Sequence, residues 1–225
     1  MSGHTYIPPA FQQDDPERLA ATVSAHPLGL LMLGGLDTLE AVHLPFLRVG
    51  ERDDPAAWHF QSHLARANPV AKALSDGREC PGMLVFTGPD AYVSPHWYVD
   101  ARESSVPTWN YQAVHVRGRA RLLGEDAADW LDGHLHDLIA TQQARIGQPP
   151  FDYSHLPDER LAAMKAAIVG IELTVETIEG IEKLSQNKSA ADRAGVIEGL
   201  RARGDAECAA MAELMRQREQ GTSSD

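Results

Sequence analysis

Apolar residues alternate along some stretches of this chain and recur every three to four positions along others, and the changes of period outline its elements. In DDPERLAATVSAHP, Asp14 or Asp15 stands as N-cap, Pro16 takes the first helical position and Pro27 stops the run, so a short helix is expected. Strand patterns follow. LGLLMLGG is a buried apolar run closed by glycines, LEAVHLPFLRVG is strand-like but interrupted by Pro45, and AAWHFQSH is a third, aromatic segment. Proline has no N–H to give a ladder, which places Pro45 on an edge or at a bulge. SHLARANPVAKALSDG reads as helix, with Ser62 as cap, Leu64, Ala71 and Leu74 at partial helical spacing, Gly77 as stop and Pro69 dividing it into two turns.

CPGMLVFTGPDAYVSP and YQAVHVRGRARLLG return to strand, the second alternating through Val114, Val116 and Leu122. DAADWLDGHLHDLIATQQARIG predicts a helix with Trp130, Leu131, Leu135, Leu138 and Ile139 on its apolar side, PPFDYSHLP a loop, and PDERLAAMKAAIVG a helix opened by Pro157. IVGIELTVETIEGIEKL alternates Ile171, Leu173, Val175 and Thr177 as a long late strand. AADRAGVIEGL and GDAECAAMAELMRQRE predict two closing helices, the second amphipathic through Ala206, Ala210, Leu214 and Met215. About six strands with helices between and after them, in no regular alternation, predict an antiparallel barrel of α+β type. Neither G-x-G-x-x-G nor G-x-x-x-x-G-K-[ST] occurs, so a Rossmann or P-loop nucleotide site has little support.

The 225 residues, 43% hydrophobic and 23% charged, supply a real core for one large domain or two small ones. With 32 acids against 20 bases the net charge is -12, which argues against a phosphate-backbone footprint, since that needs clustered Lys and Arg. Cys80 and Cys208 lie far apart and form no C-x-x-C. MSGHTYIPPAF has neither a cationic n-region nor an apolar h-region, and no run is long enough to span a bilayer. A soluble cytoplasmic protein is expected.

Several stretches carry chemistry. HLARANP puts His63, Arg66 and Asn68 at the start of the expected helix, where free N–H groups favour an anion, or where Ser62 caps and Asn68 turns the chain. FTGPDAYVSPHWY and VPTWNYQAVH bring turn formers and aromatics together, a composition suited to a flat heteroaromatic ligand or to an interface. His59 with His63, and His134 with His136, do not read as a metal site: helical positions two apart do not share a face, and no H-E-x-x-H or acid cluster completes either set. Ser94 near His96 lacks the G-x-S-x-G context of a nucleophile. IEKLSQNKSAADRAG places two lysines, a serine, a glutamine and an asparagine in six positions after a strand. That is either a grip for an anion or a solvated strand end before Ser189 caps the next helix.

YIPPAF, HLPF, HLARANP, FTGPDAYVSPHWY, VPTWNYQAVHVRG and IEKLSQNKSAADRAGVIEGL, in this order, resemble the motifs of the PaiB family of FMN-binding negative transcriptional regulators, from Tyr6 to about Leu200. The resemblance implies the FMN-binding split-barrel fold of pyridoxamine phosphate oxidases and flavin reductases, and a homodimer with FMN at the subunit interface. Residues 1–185 are expected to form the barrel domain, 186–220 a helical extension packed on the same domain, and 221–225 a disordered tail. By position, His43, Leu44 and Pro45 would line the flavin, and His63 and Arg66 would lie near its phosphate. Lys183, Ser185, Gln186, Asn187 and Lys188 would contact phosphate or ribityl oxygens at the pocket mouth, and Ser94, Trp109, Asn110 and Tyr111 complete the expected cofactor-binding set. The family's label brings in DNA as a partner, which the net charge does not support. An FMN-dependent oxidoreductase, or a flavin or haem carrier without turnover, are the other functions this barrel allows.

Overall fold

The computed structural model describes residues 4–35, 38–51, 53–124, 128–153 and 155–221. Among them lie eight strands: β1 (Gln12–Gln13), β2 (Leu28–Leu33), β3 (Glu40–Pro45), β4 (Leu47–Val49), β5 (His59–Ala65), β6 (Cys80–Val93), β7 (Thr108–Leu122) and β8 (Ile168–Lys183). Six helices accompany them: α1 (Pro16–Ala25), α2 (Pro69–Ala73), α3 (Ala128–Arg145), α4 (Asp158–Ala166), α5 (Ala190–Arg203) and α6 (Ala206–Gly221). The sheet order is β3-β2-β6-β7-β8-β5-β4, with β1 added to β8. The chain divides into a central unit, His26–Phe86 with His115–Ile178, and a terminal unit, Met1–Ala25 with Thr87–Val114 and Glu179–Asp225. Strands β6, β7 and β8 run through both.

In the central unit β2 pairs antiparallel with β3 and β6, setting Leu30 opposite His43 on one side and Val85 on the other. β5 pairs antiparallel with β4 and β8, with Phe60 opposite Leu173. Leu31, Leu33, Trp58, Phe60, Leu84, Phe86, Ile171 and Leu173 are all fully buried here, each contributing about 1.5–3 kcal/mol by leaving water. Pro45 ends β3 at the edge of the sheet, as its missing N–H requires. At Gly118 a Cβ would collide with the Thr174 carbonyl, so only glycine lets β7 approach β8 so closely.

One expectation in this unit needs correction. Ser62 and His63 do not open a helix: they belong to β5, where Phe60, Ser62 and Leu64 alternate inward and the buried Ser62 hydroxyl donates to the Pro45 carbonyl at 2.7 Å. The helix starts at Pro69 and is capped by Asn68, whose Oδ1 accepts from Val70 N at 2.9 Å. Along α3 the buried positions are His134 and Leu138, with Trp130, Leu131, Leu135 and Ile139 only half-buried. Trp130 packs over Gly170, where a side chain would displace it.

In the terminal unit β1 adds to β8, with Gln12 opposite Ile181. Ser189 caps α5 by accepting from Asp192 N, and Gly204 ends it in the left-handed region at φ 75° before α6 begins. The core here joins Val196, Ile197 and Leu200 of α5 to Cys208, Met211, Ala212 and Met215 of α6, packed against Ala91, Val93, Tyr98 and Leu184. The expected stripe of α6 is therefore met only toward its C-terminal end, where Met215 is buried and Leu214 half-buried against this core. Ala206 and Ala210 face solvent, while Cys208, Met211 and Met215, larger and at helical spacing, set the inward face. Of the expected tail, Gly221 ends α6 and residues 222–225 lie outside the described residues. Among the described residues no helix is long and apolar enough to cross a membrane.

Candidate functional site

The KLSQNK stretch forms the turn that leaves β8. Ser185 has φ 60° and is the one non-glycine residue at positive φ among those described. A non-glycine side chain in that region is strained unless its surroundings hold it. Here they do. The Ser185 hydroxyl lies along the amide edge of Asn110, accepting from Nδ2 at 3.0 Å and donating to Oδ1 at 3.1 Å. Lys188 N closes the turn on the Ser185 carbonyl at 2.9 Å. Gln186 clamps its base, Oε1 accepting from Leu184 N at 2.6 Å and Nε2 donating to the Glu182 carbonyl.

The turn forms one wall of a half-open cleft of about 330 Å³. Lys183, Ser185, Asn187 and Lys188 line it from the turn, and Thr108 and Asn110 line it from β7. Ser104, Ser105 and Val106 supply the opposite rim, with the Phe11 and Tyr98 rings at its sides. Lys183 Nζ donates to Thr108 Oγ1 at 2.6 Å and lies 5.7 Å from the Phe11 ring centroid. Lys188 Nζ donates to Ser105 Oγ at 2.8 Å and lies 4.7 Å from that of Tyr98. Neither lysine makes an ion pair among the described residues.

The walls are firmly built. The buried Asp192 carboxylate accepts from Val99 N and Asp100 N, both at 2.8 Å, and from Ala101 N at 3.3 Å, anchoring the start of the rim loop. Burial opposes its ionisation, but these N–H groups and the nearby Lys188 ammonium outweigh that and hold the carboxyl below the usual carboxylate range. Burial, with the Asp192 charge added, pushes the Tyr98 phenol above its ordinary value. Beneath the cleft the buried Glu182 carboxylate accepts from Gln13, Gln112, Arg18 and Arg218, tying β1, β7, α1 and α6 to β8.

Five of the expected site residues thus come together: Asn110, Lys183, Ser185, Asn187 and Lys188. Gln186 supports the turn from outside the cleft. Trp109 and Tyr111 alternate with Thr108 and Asn110 along β7, so the pleat sends them to the other face, where Trp109 is 53% exposed and meets Tyr92 edge-on. Ser94 instead caps the 3₁₀ turn Pro95–Trp97, accepting from His96 N. His43, Leu44, Pro45, His63 and Arg66 belong to the central unit. There His43 is exposed while Leu44 is buried, so strand alternation separates them. His63 Nδ1 meets His134 Nε2 at 3.3 Å, and the exposed Arg66 donates through Nε to the Ala166 carbonyl. Phe11, Tyr98, Ser104, Ser105, Val106 and Thr108 were missed as site residues, although Phe11 ends YIPPAF and Tyr98 ends SPHWY.

The cleft suits the phosphate end of a flavin mononucleotide: two ammonium groups for a dianion, hydroxyls and an amide for ribityl oxygens, and aromatic sides. Residues 5–177 match the family described as "Putative FMN-binding domain". The chain belongs to this FMN-binding family. FMN is the cofactor that membership assigns to it. The chain is 34% identical over 211 residues to protease synthase and sporulation protein PAI 2 of Bacillus subtilis, a PaiB protein, covering 93% of this chain and 96% of that one. Among solved structures it resembles an FAD- and haem-binding protein of Mycobacterium smegmatis, with a TM-score of 0.51 and 20% identity over 76% of this chain and 73% of that one. It also resembles the flavocytochrome Anf3 of Azotobacter vinelandii, with a TM-score of 0.50 and 20% identity over 76% and 69%. At that identity the two share its fold, the antiparallel α+β split barrel expected from the motifs. Lys183, Ser185, Asn187 and Lys188 lie beyond the family-matched residues, in the part covered by the PaiB relative.

Proposed function

We propose that this protein is a homodimeric, PaiB-type negative transcriptional regulator in which FMN occupancy or redox state sets the interaction with a protein partner. In this reading the FMN phosphate sits between Lys183 and Lys188 and the ribityl oxygens meet Asn187 and the rim hydroxyls. The observation that carries it is the lysine pair: in a chain of net charge -12, two ammonium groups face one cleft, held by hydroxyls with no ion pair among the described residues. A volume of about 330 Å³ lies at the small end of the ~300–1,000 Å³ range of ligand pockets, enough for the phosphate and ribityl chain but leaving the ring system to be covered from elsewhere. A second copy would supply that cover. Bound FMN supplies the redox chemistry, and the residues of this chain bind, orient and shield it.

The test is a titration of the full chain with FMN and with riboflavin, followed by flavin fluorescence. FMN is expected to bind at least about tenfold more tightly, since one charge-assisted hydrogen bond is worth roughly 1.5–3 kcal/mol and ~1.4 kcal/mol is one decade. Equal affinities would remove the phosphate from this cleft. Sedimentation should give about 49 kDa, twice the 24.5 kDa chain, and a monomer at micromolar concentration would sink the shared site. Unchanged flavin absorbance after anaerobic addition of NADH or NADPH is expected of the regulator. Rapid bleaching would assign an oxidoreductase instead.

A further inference from the structure

The residue that shapes this turn is a buried amide in the wall of the cleft. Asn110 has no exposed surface, and all its side-chain contacts point inward: to the Ser185 hydroxyl, and from Nδ2 to Met215 Sδ of α6 at 3.4 Å. Ser185, on the other end of that contact, is the strained residue, and it sits between the two lysines in sequence. Nothing local favours φ 60° for a serine. The conformation persists because Asn110 grips its hydroxyl from both edges, and Asn110 is in turn held by a sulfur on a helix that lies beyond the family-matched residues.

We infer that Asn110 and Met215 are positioning residues for phosphate recognition: through Ser185 they hold the turn that brings Lys188 into the same cleft as Lys183. The inference rests on the proposed phosphate site and adds a support for it on α6. Strain held by a buried amide is preorganisation, so the turn does not have to order itself when the anion arrives. The chain of contact is short. Met215 orients the Asn110 amide, the amide fixes Ser185 in the left-handed region, and that residue sets where Lys188 leaves the turn relative to Lys183 at the end of β8.

The test uses the full chain and two variants, read as the ratio of riboflavin to FMN dissociation constants. Met215→Leu keeps the volume and apolar packing of a residue 2% exposed and outside the cleft, and removes only the sulfur acceptor. It is expected to weaken FMN about threefold and leave riboflavin unchanged. Asn110→Ala should weaken FMN at least about tenfold with a much smaller effect on riboflavin, because Lys188 loses its fixed place beside the cleft. If Asn110→Ala fails to fold, Ser185→Ala, which keeps the strain and loses the grip, replaces it with the same expected ratio. Parallel losses for both flavins, or an unchanged ratio in the variants, would overturn the positioning role. An unmodified chain that already binds both flavins equally would instead overturn the phosphate site itself, so the two failures are distinguishable.

Discussion

At the level of single residues the site is a question of which side chains share a face. Lys183 and Lys188 meet in one cleft because the turn between them folds back on Ser185, while Trp109 and Tyr111 leave it because strand neighbours point to opposite faces. Substituting both lysines is therefore the direct assay of charge recognition. Lys183→Ala with Lys188→Ala should weaken FMN by at least about tenfold, each lost contact being worth roughly 1.5–3 kcal/mol before solvent screening. Riboflavin binding and the proposed dimer should be little affected, because these long side chains contribute little apolar packing. Equal losses for both flavins would mean that the lysines shape the cleft without reading phosphate. The residue types for anion binding were legible in KLSQNK. The left-handed serine and its amide partner 75 positions away were not, since neither has a local sequence signal.

At the level of elements, two contacts expose their own logic to test. In α5, Gly195 and Gly199 lie four residues apart on one face, and a Cβ at Gly199 would run into the Trp97 indole. Gly199→Ala would gain helix propensity of about 1 kcal/mol at an open site but is expected to destabilise here by about 1–3 kcal/mol as Trp97 is displaced. Denaturant unfolding followed by tryptophan fluorescence measures it, and a net gain in stability would contradict the contact. In the central unit, burial and then the neighbouring His63 push His134 down to about 4, with Asp137 opposing, while burial also lowers His63. The ring stacks on Trp130 with centroids 5.0 Å apart. Because the folded state resists a proton that the unfolded state accepts near 6.5, the unfolded chain binds more protons between pH 6.5 and 4. Stability contributed by the neutral pair is full above pH 6.5 and is lost as pH falls toward 4. His134→Phe should flatten this part of the pH–stability curve relative to the unmodified chain, and superimposable curves would show that the pair carries none of it.

At the level of the whole molecule, charge is the dominant fact. A net charge of -12 opposes approach to any phosphate backbone, and Lys183 and Lys188 face a cleft where each is held by a hydroxyl. Weak binding to arbitrary duplex DNA at physiological salt is therefore expected. A mobility-shift titration across salt concentrations checks it. Tight, steeply salt-sensitive binding would reveal a basic surface formed only in the assembled protein.

Local patterns were enough for the strand and helix series from α1 to α6, the edge position of Pro45 and the cap at Ser189. Each of these depends on near neighbours: periodicity, a missing N–H, a hydroxyl three residues before a helical N–H. Other features depended on partners distant in the chain. Ser62 and His63 look like the start of a helix until β8 and β4 pair with β5 and take them into the sheet, and the phase of α6 follows from which of its faces α5 and β6 cover. The Ser185 conformation, the support from Asn110 and Met215, and the gathering of Thr108, Ser105 and Tyr98 around two lysines have the same origin. They are contacts between residues far apart in sequence, made only once the strands have paired and the core has closed.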